Sequence, residues 1–246
     1  MFFNINMLCT ANALYAFVES SIIGKIIVIG LVVGSVVVWT FMIGKSAELK
    51  DCERQNEKFY HAFNRHDNPL TLYQQNNTFN GSPAYAIYKN CCIEFTKIIG
   101  VNDDDVDLFM GVDPEKDLSI SSKQMRYVQN SAESALADSI LIMEKNMSVL
   151  ASASTVAHFL GLLGTVWVVM EAFAGMAATG SALLSEVAPG ISSALLTTIV
   201  GLIVALPSSI GYNLLGDRIR SETVGLENFV VRLVDGLEQS YVSKGE

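Results

Sequence analysis

Charge is missing from long stretches of this 246-residue chain. No charged side chain lies between Lys25 and Lys45 (19 positions), between Lys145 and Glu171 (25) or between Glu186 and Asp217 (30). Buried strands of soluble proteins make apolar runs of only about 4–8 residues, so these gaps exclude an ordinary soluble core. Basic residues are also scarce, with 16 Lys and Arg against 25 Asp and Glu. That balance excludes a nucleic-acid binder of the usual basic kind. The three histidines, at 61, 66 and 158, cannot be combined with the cysteines into a metal cluster. Cys9, Cys52, Cys91 and Cys92 form no disulfide framework, because adjacent cysteines rarely bridge and Cys9 stands alone. There is no glycine-rich phosphate loop and no nucleophile elbow, so no enzyme chemistry and no cofactor is expected. Disorder is excluded in turn, since half the residues are hydrophobic.

What is present is apolar sequence of membrane length. A bilayer core of about 30 Å takes about 20 helical residues. The expected fold is all-α and integral to a membrane, with spans at 22–43, 151–174 and 187–211. Lys25 sits at the head of the first span, and the other 15 basic residues fall in 44–150 or after 211. The positive-inside rule therefore places the N-terminus and the 175–186 loop outside, and 44–150 and the 212–246 tail in the cytoplasm. Residues 1–21 lack the basic start of a cleaved signal and read as a short outer amphipathic segment.

The insert 44–150 is broken by turn signals at Asn68-Pro69, Asn76-Asn77 and Asn80-Gly81-Ser82-Pro83. A helix is expected from Pro83 to Ile98, with Tyr85, Tyr88, Cys91, Cys92 and Phe95 on one side. The acidic stretch 103–117 fails as an EF-hand, since counting from Asp103 puts Leu108 at position six and Pro114 at twelve. It reads as a solvated loop. From Ser122 apolar residues recur at helical spacing, and no Pro or Gly interrupts 122–160. One unbroken helix is expected to run from there through the second span, with a matching extension after the third. Each would hold about 50 residues, or roughly 75 Å. The insert is read as a helical extension of the membrane bundle.

Small residues mark the last two spans. Ser154, His158, Gly161, Thr165, Val168 and Ala172 form one stripe, and Gly190, Ala194, Thr197, Gly201, Ala205 and Ser208 form another. Such stripes let helices approach closely in lipid, so Gly161, Gly164, Gly190, Gly201, Pro189 and Pro207 are read as packing residues. The hydroxyls of Thr165, Thr197 and Thr198 admit two readings: bonds to their own backbone, or the lining of a path for water and protons. Intramembrane ionisable groups mark functional sites, and the last two spans offer only His158 and Glu171. The third span has no titratable side chain at all. If protons cross here, the acid at mid-membrane must come from another chain.

These residues resemble the MotA/TolQ/ExbB proton-channel family. The resemblance rests on Phe159-Leu-Gly-Leu-Leu-Gly-Thr-Val-Trp167 with Met170 and Ala172-Phe173, and on Val187-Ala-Pro-Gly-Ile191, Ala194-Leu-Leu-Thr-Thr198, Gly201-Leu202, Ala205-Leu-Pro207 and Gly211-Tyr-Asn213. It is specific over about 150–240, and the three-span layout favours TolQ and ExbB over MotA. The resemblance implies a bacterial inner-membrane homopentamer in which the second and third helices line a pore. It implies a TolR- or ExbD-like partner, with one span and a membrane Asp, inside that pore. Proton flow past that Asp would move a TonB- or TolA-like protein. The family's pore threonines fall on Thr165 and Thr198. Three positions depart from the pattern: His158 replaces Pro, Val168 replaces Gly, and Ser193 replaces the Glu of the third-span motif. Ser193 cannot hold charge, which leaves open a non-conducting membrane scaffold as the alternative function.

Overall fold

The computed structural model describes residues 13–66, 68–75, 77–99, 120–180 and 184–242. The expected acidic loop at 103–117, Cys9 and most of the 1–21 segment lie outside these residues. Within them the fold is all-α. Residues 13–19 are helical, and six further elements follow among the described residues: α1 (Ile22–Phe63), α2 (Thr71–Gln74), α3 (Pro83–Ile99), α4 (Ser122–Glu144), α5 (Met147–Thr179) and α6 (Leu184–Tyr241). Ile22–Phe63, Ser122–Thr179 and Val187–Tyr241 each hold a stretch long and apolar enough to cross a membrane. α1 shows why: Ile22, Ile26, Ile29, Val33 and Val36 are all exposed, and an apolar helix surface of that kind is stable only in lipid.

The chain divides into two compact units. One holds residues 1–45 and 146–215, and the other 46–145 and 216–246. In the first, Leu31 of α1, Ala157 of α5 and Val204 and Ala205 of α6 form a core, with Ile27, Leu160 and Val200 packed on it. The 175–186 segment read from the sequence as a loop is helical at both its ends, since α6 begins at Leu184. α5 runs on to Thr179, and Gly180 ends it with φ +65°, a left-handed conformation that glycine adopts without strain.

The second unit has a core of its own, which the reading of the insert as a plain extension did not foresee. Phe59 is fully buried and meets Phe63, Phe79, Tyr85, Tyr88 and Phe229 at ring-centroid distances of 5.4–5.9 Å. α3 forms where the sequence placed it, and buries Tyr88, Cys91, Cys92 and Phe95. Asn56 is buried and fastens three elements. Its amide nitrogen donates to Glu222 at 2.9 Å, and its oxygen accepts from Ser82 Oγ at 2.7 Å and from the Ala84 N–H at 3.1 Å. Tyr241 closes the unit. Its hydroxyl and the Asn68 side chain bond each other, its ring meets Phe95 at 5.1 Å, and its carbonyl accepts from the Ile120 N–H at 2.9 Å.

The expected unbroken helix from Ser122 into the second span is corrected. α4 ends at Glu144, and α5 restarts at Met147 after Asn146, whose φ is +68°. Asparagine is one of the few side chains that visit this left-handed region readily. The break therefore needs neither proline nor glycine.

Candidate functional site

The two small-residue stripes meet. α5 and α6 run antiparallel, so Gly190 packs on Ala172, Thr197 on Gly164, and Gly201 on Gly161 and Ala157. A methyl group on Gly161 would lie 3.2 Å from both Gly201 Cα and the Thr197 carbonyl oxygen. These glycines bring backbone against backbone. Pro189 and Pro207 both lie inside α6. Pro207 has no N–H to give the carbonyl one turn back. Around it hydroxyls bond backbone oxygens: Ser208 donates to the Val204 carbonyl at 2.6 Å, and Ser154 reaches across from α5 to the Ala205 carbonyl at 3.1 Å.

The close approach assembles a cluster of threonines. Thr165 Oγ1 and Thr198 Oγ1 are in direct hydrogen-bonding contact. Both also reach the Gly161 carbonyl oxygen, at 3.0 and 3.2 Å. Thr197 Oγ1 lies 3.3 Å from the same oxygen and 2.7 Å from the Ala194 carbonyl. One backbone oxygen thus serves three hydroxyls from two helices. Thr197 is fully buried, whereas Thr165 and Thr198 are half-buried. The two readings of these hydroxyls therefore meet in one place: all three lie within reach of backbone carbonyls, and the single hydrogen of Thr165 or of Thr198 can go either to the Gly161 carbonyl or to the other hydroxyl across the interface.

The remaining sequence-derived candidates separate. Ser193 is fully buried and its Oγ has no hydrogen-bond partner among the described residues. Gly161 was assigned to packing alone, yet its carbonyl is the shared acceptor. The signal was in the sequence, because Thr165 lies four residues after Gly161, the spacing at which a helical hydroxyl reaches a carbonyl. His158 precedes Thr165 by two turns on the same face but is exposed, with its ring near Phe159 at 6.0 Å. Glu171 is exposed as well. No group of three His, Cys, Asp or Glu able to hold a metal occurs among the described residues.

The sequence pattern of the MotA/TolQ/ExbB proton channel family matches residues 105–228, half the chain, with all of α5 and α6 as far as Asn228. The chain belongs to that family. Among relatives with curated names, the Tol-Pal system protein TolQ of Haemophilus influenzae is 27% identical over 226 residues, covering 91% of this chain and 92% of that protein. TolQ of Pseudomonas aeruginosa is 28% identical over 197 residues, or 79% of each chain. The biopolymer transport protein ExbB of Pseudomonas putida is 28% identical over 199 residues, 79% of this chain and 54% of that protein. The family match and the hydroxyl cluster coincide, since Gly161, Thr165, Thr197 and Thr198 all fall inside the matched segment.

Proposed function

We propose that this chain is the TolQ- or ExbB-like subunit of a bacterial inner-membrane machine that couples proton flow to movement of a partner. The observation that carries the reading is the pairing of Thr165 with Thr198 on the shared Gly161 carbonyl, inside stretches (146–170 and 187–216) that hold no acid. A hydroxyl both donates and accepts, so this cluster can pass a proton or order a water file, but it cannot store a charge. The storing group comes from a second protein: a TolR- or ExbD-like chain with one span and a membrane aspartate. α5 and α6 of several copies, a pentamer by family resemblance, surround that span with Thr165 and Thr198 facing it. Motion of the partner is then delivered to a TonB- or TolA-like protein. The N-terminus and the α5–α6 turn face the periplasm, and the unit formed by 46–145 and 216–246 lies in the cytoplasm.

The test replaces Thr198 by Val, which keeps the shape and removes the hydroxyl. In cells that depend on this chain and its partner, a protonophore-sensitive function should fall at least tenfold. Thr198→Ser should retain most of it. Unchanged function in Thr198→Val would favour the non-conducting scaffold, the reading that Ser193 in place of a carboxylate supports.

A further inference from the structure

Two buried hydroxyls of the unit formed by 1–45 and 146–215, Ser20 Oγ and Ser193 Oγ, have no hydrogen-bond partner among the described residues. Their neighbours are otherwise. Ser208 and Thr197, equally buried on α6, each bond a carbonyl one turn back. Ser193 has the same option within its own helix and does not take it, so its hydroxyl points elsewhere.

Packing brings the two hydroxyls to one level. On α5 and α6, the contacts Gly190 on Ala172 and Thr197 on Gly164 set a register that puts Ser193 opposite Val168. Ser20 and Val168 meet at Gly24, where a methyl group would lie 2.2 Å from Ser20 Oγ and 3.1 Å from Val168 Cγ2. The α1–α6 packing agrees. Leu31 and Val204 share one core cluster, with Ile27 and Val200 on it. Ser20 precedes Leu31 and Ser193 precedes Val204, so both lie on the same side of that cluster along their chains. Both hydroxyls therefore flank Val168, which is only 3% exposed.

We propose that Ser20 and Ser193 hold a buried water molecule beside Val168, as an internal site of the bundle. Buried polar groups in proteins are almost always paired, and lipid offers no partner for one left over. A structural water usually makes about three hydrogen bonds. The two hydroxyls supply two of them. The first turn of α1, which begins two residues after Ser20, supplies the Ile22 and Ile23 N–H groups, of the kind a helix leaves without internal partners; the Gly24 N–H is already taken by Ser21 Oγ at 3.2 Å. The charged side chains nearest in sequence, Glu19, Lys25 and Glu171, are exposed or half-buried, whereas Ser20, Ser193 and Val168 are buried. The proposal is independent of conduction through the threonines.

The test uses the complete chain in lipid nanodiscs. Ser193→Ala and Ser20→Ala should each lower Tm, by about 2–4 °C, because each removes a ligand of the water. In a dry site the same changes delete an unpaired hydroxyl and raise Tm or leave it unchanged, and either result overturns the proposal. Radiolytic footprinting of the unmutated chain adds a reading that needs no variant. Bound water should label Val168 in spite of its burial, and an unlabelled Val168 overturns the site.

Discussion

Gly161 and Gly201 hold α5 and α6 at a separation that no side chain fits. A methyl group on Gly201 would lie 2.9 Å from Gly161 Cα and 2.8 Å from the Ala157 carbonyl oxygen, both of them backbone atoms that cannot turn aside. Gly201→Ala must therefore push the helices apart, at a cost of about 1–3 kcal/mol, and should separate Thr165 from Thr198 as it does so. Partner-dependent function should fall along with Tm. Gly225→Ala is the control, because open space surrounds that position. It should be neutral or stabilise by up to about 1 kcal/mol.

Asn56 carries three bonds at a position that is 1% exposed. Asn56→Ala should cost about 2–3 kcal/mol, because it strands the Ser82 hydroxyl and the Ala84 N–H. Asn56→Asp keeps the acceptor but faces Glu222 with a second carboxylate. That variant should regain stability as pH is lowered and one of the two takes up a proton. Thermal unfolding at two pH values separates these outcomes.

Alkaline pH should loosen the same unit. Burial pushes the Cys91 thiol up to about 12 from an ordinary 9.0. Burial, then Glu222, pushes the Tyr60 hydroxyl up to about 12 from 10.0. Burial also raises Cys92 and Tyr88. Each group keeps its proton longer in the folded state than in the unfolded one. The unfolded chain thus binds fewer protons above pH 9, and stability falls as pH rises. The contribution is complete below pH 9 and is lost progressively between pH 9 and 12. A Tm series across that range should bend downward, and Tyr60→Phe should flatten the part above pH 10. At neutral pH an alkylating reagent should label half-buried Cys52 well before Cys91 and Cys92.

Asn146 tests the break between α4 and α5. Its positive φ is strained for any residue with a Cβ. Asn146→Gly should be neutral or stabilise by a few tenths of a kcal/mol, whereas Asn146→Val should cost about 1–2 kcal/mol. If the two helices were one, the order would reverse, since glycine disfavours helix interiors.

The parts of this fold that follow from local rules were readable without coordinates. Charge-free gaps mark the membrane-length helices because lipid tolerates no unpaired charge, and the stripe spacing brings Thr165 and Thr198 to one interface. What escaped depends on distant partners or on rare backbone states. Phe59 and Phe229 belong to one aromatic core but lie far apart in the chain, and nothing periodic links them. Asn146 looks like an ordinary helical polar residue until its φ is known. Gly161 was read through its missing side chain, whereas its carbonyl matters as much. His158 and Glu171 were singled out for being ionisable, and burial, which no composition reveals, leaves both on the surface of the chain.

The way the second unit is assembled from 46–145 and 216–246 imposes an order in time. The 70 residues from 146 to 215 must be made before the second part exists. At about 5–20 residues per second, synthesis takes roughly 4–14 s to cross that interval. Throughout it Phe59 waits without Phe229, and Asn68 without Tyr241. The nascent chain therefore presents an unfinished aromatic cluster during membrane insertion of the last two helices. A chaperone that shields that cluster would act in this window, and slowing translation between 146 and 215 would lengthen the exposure.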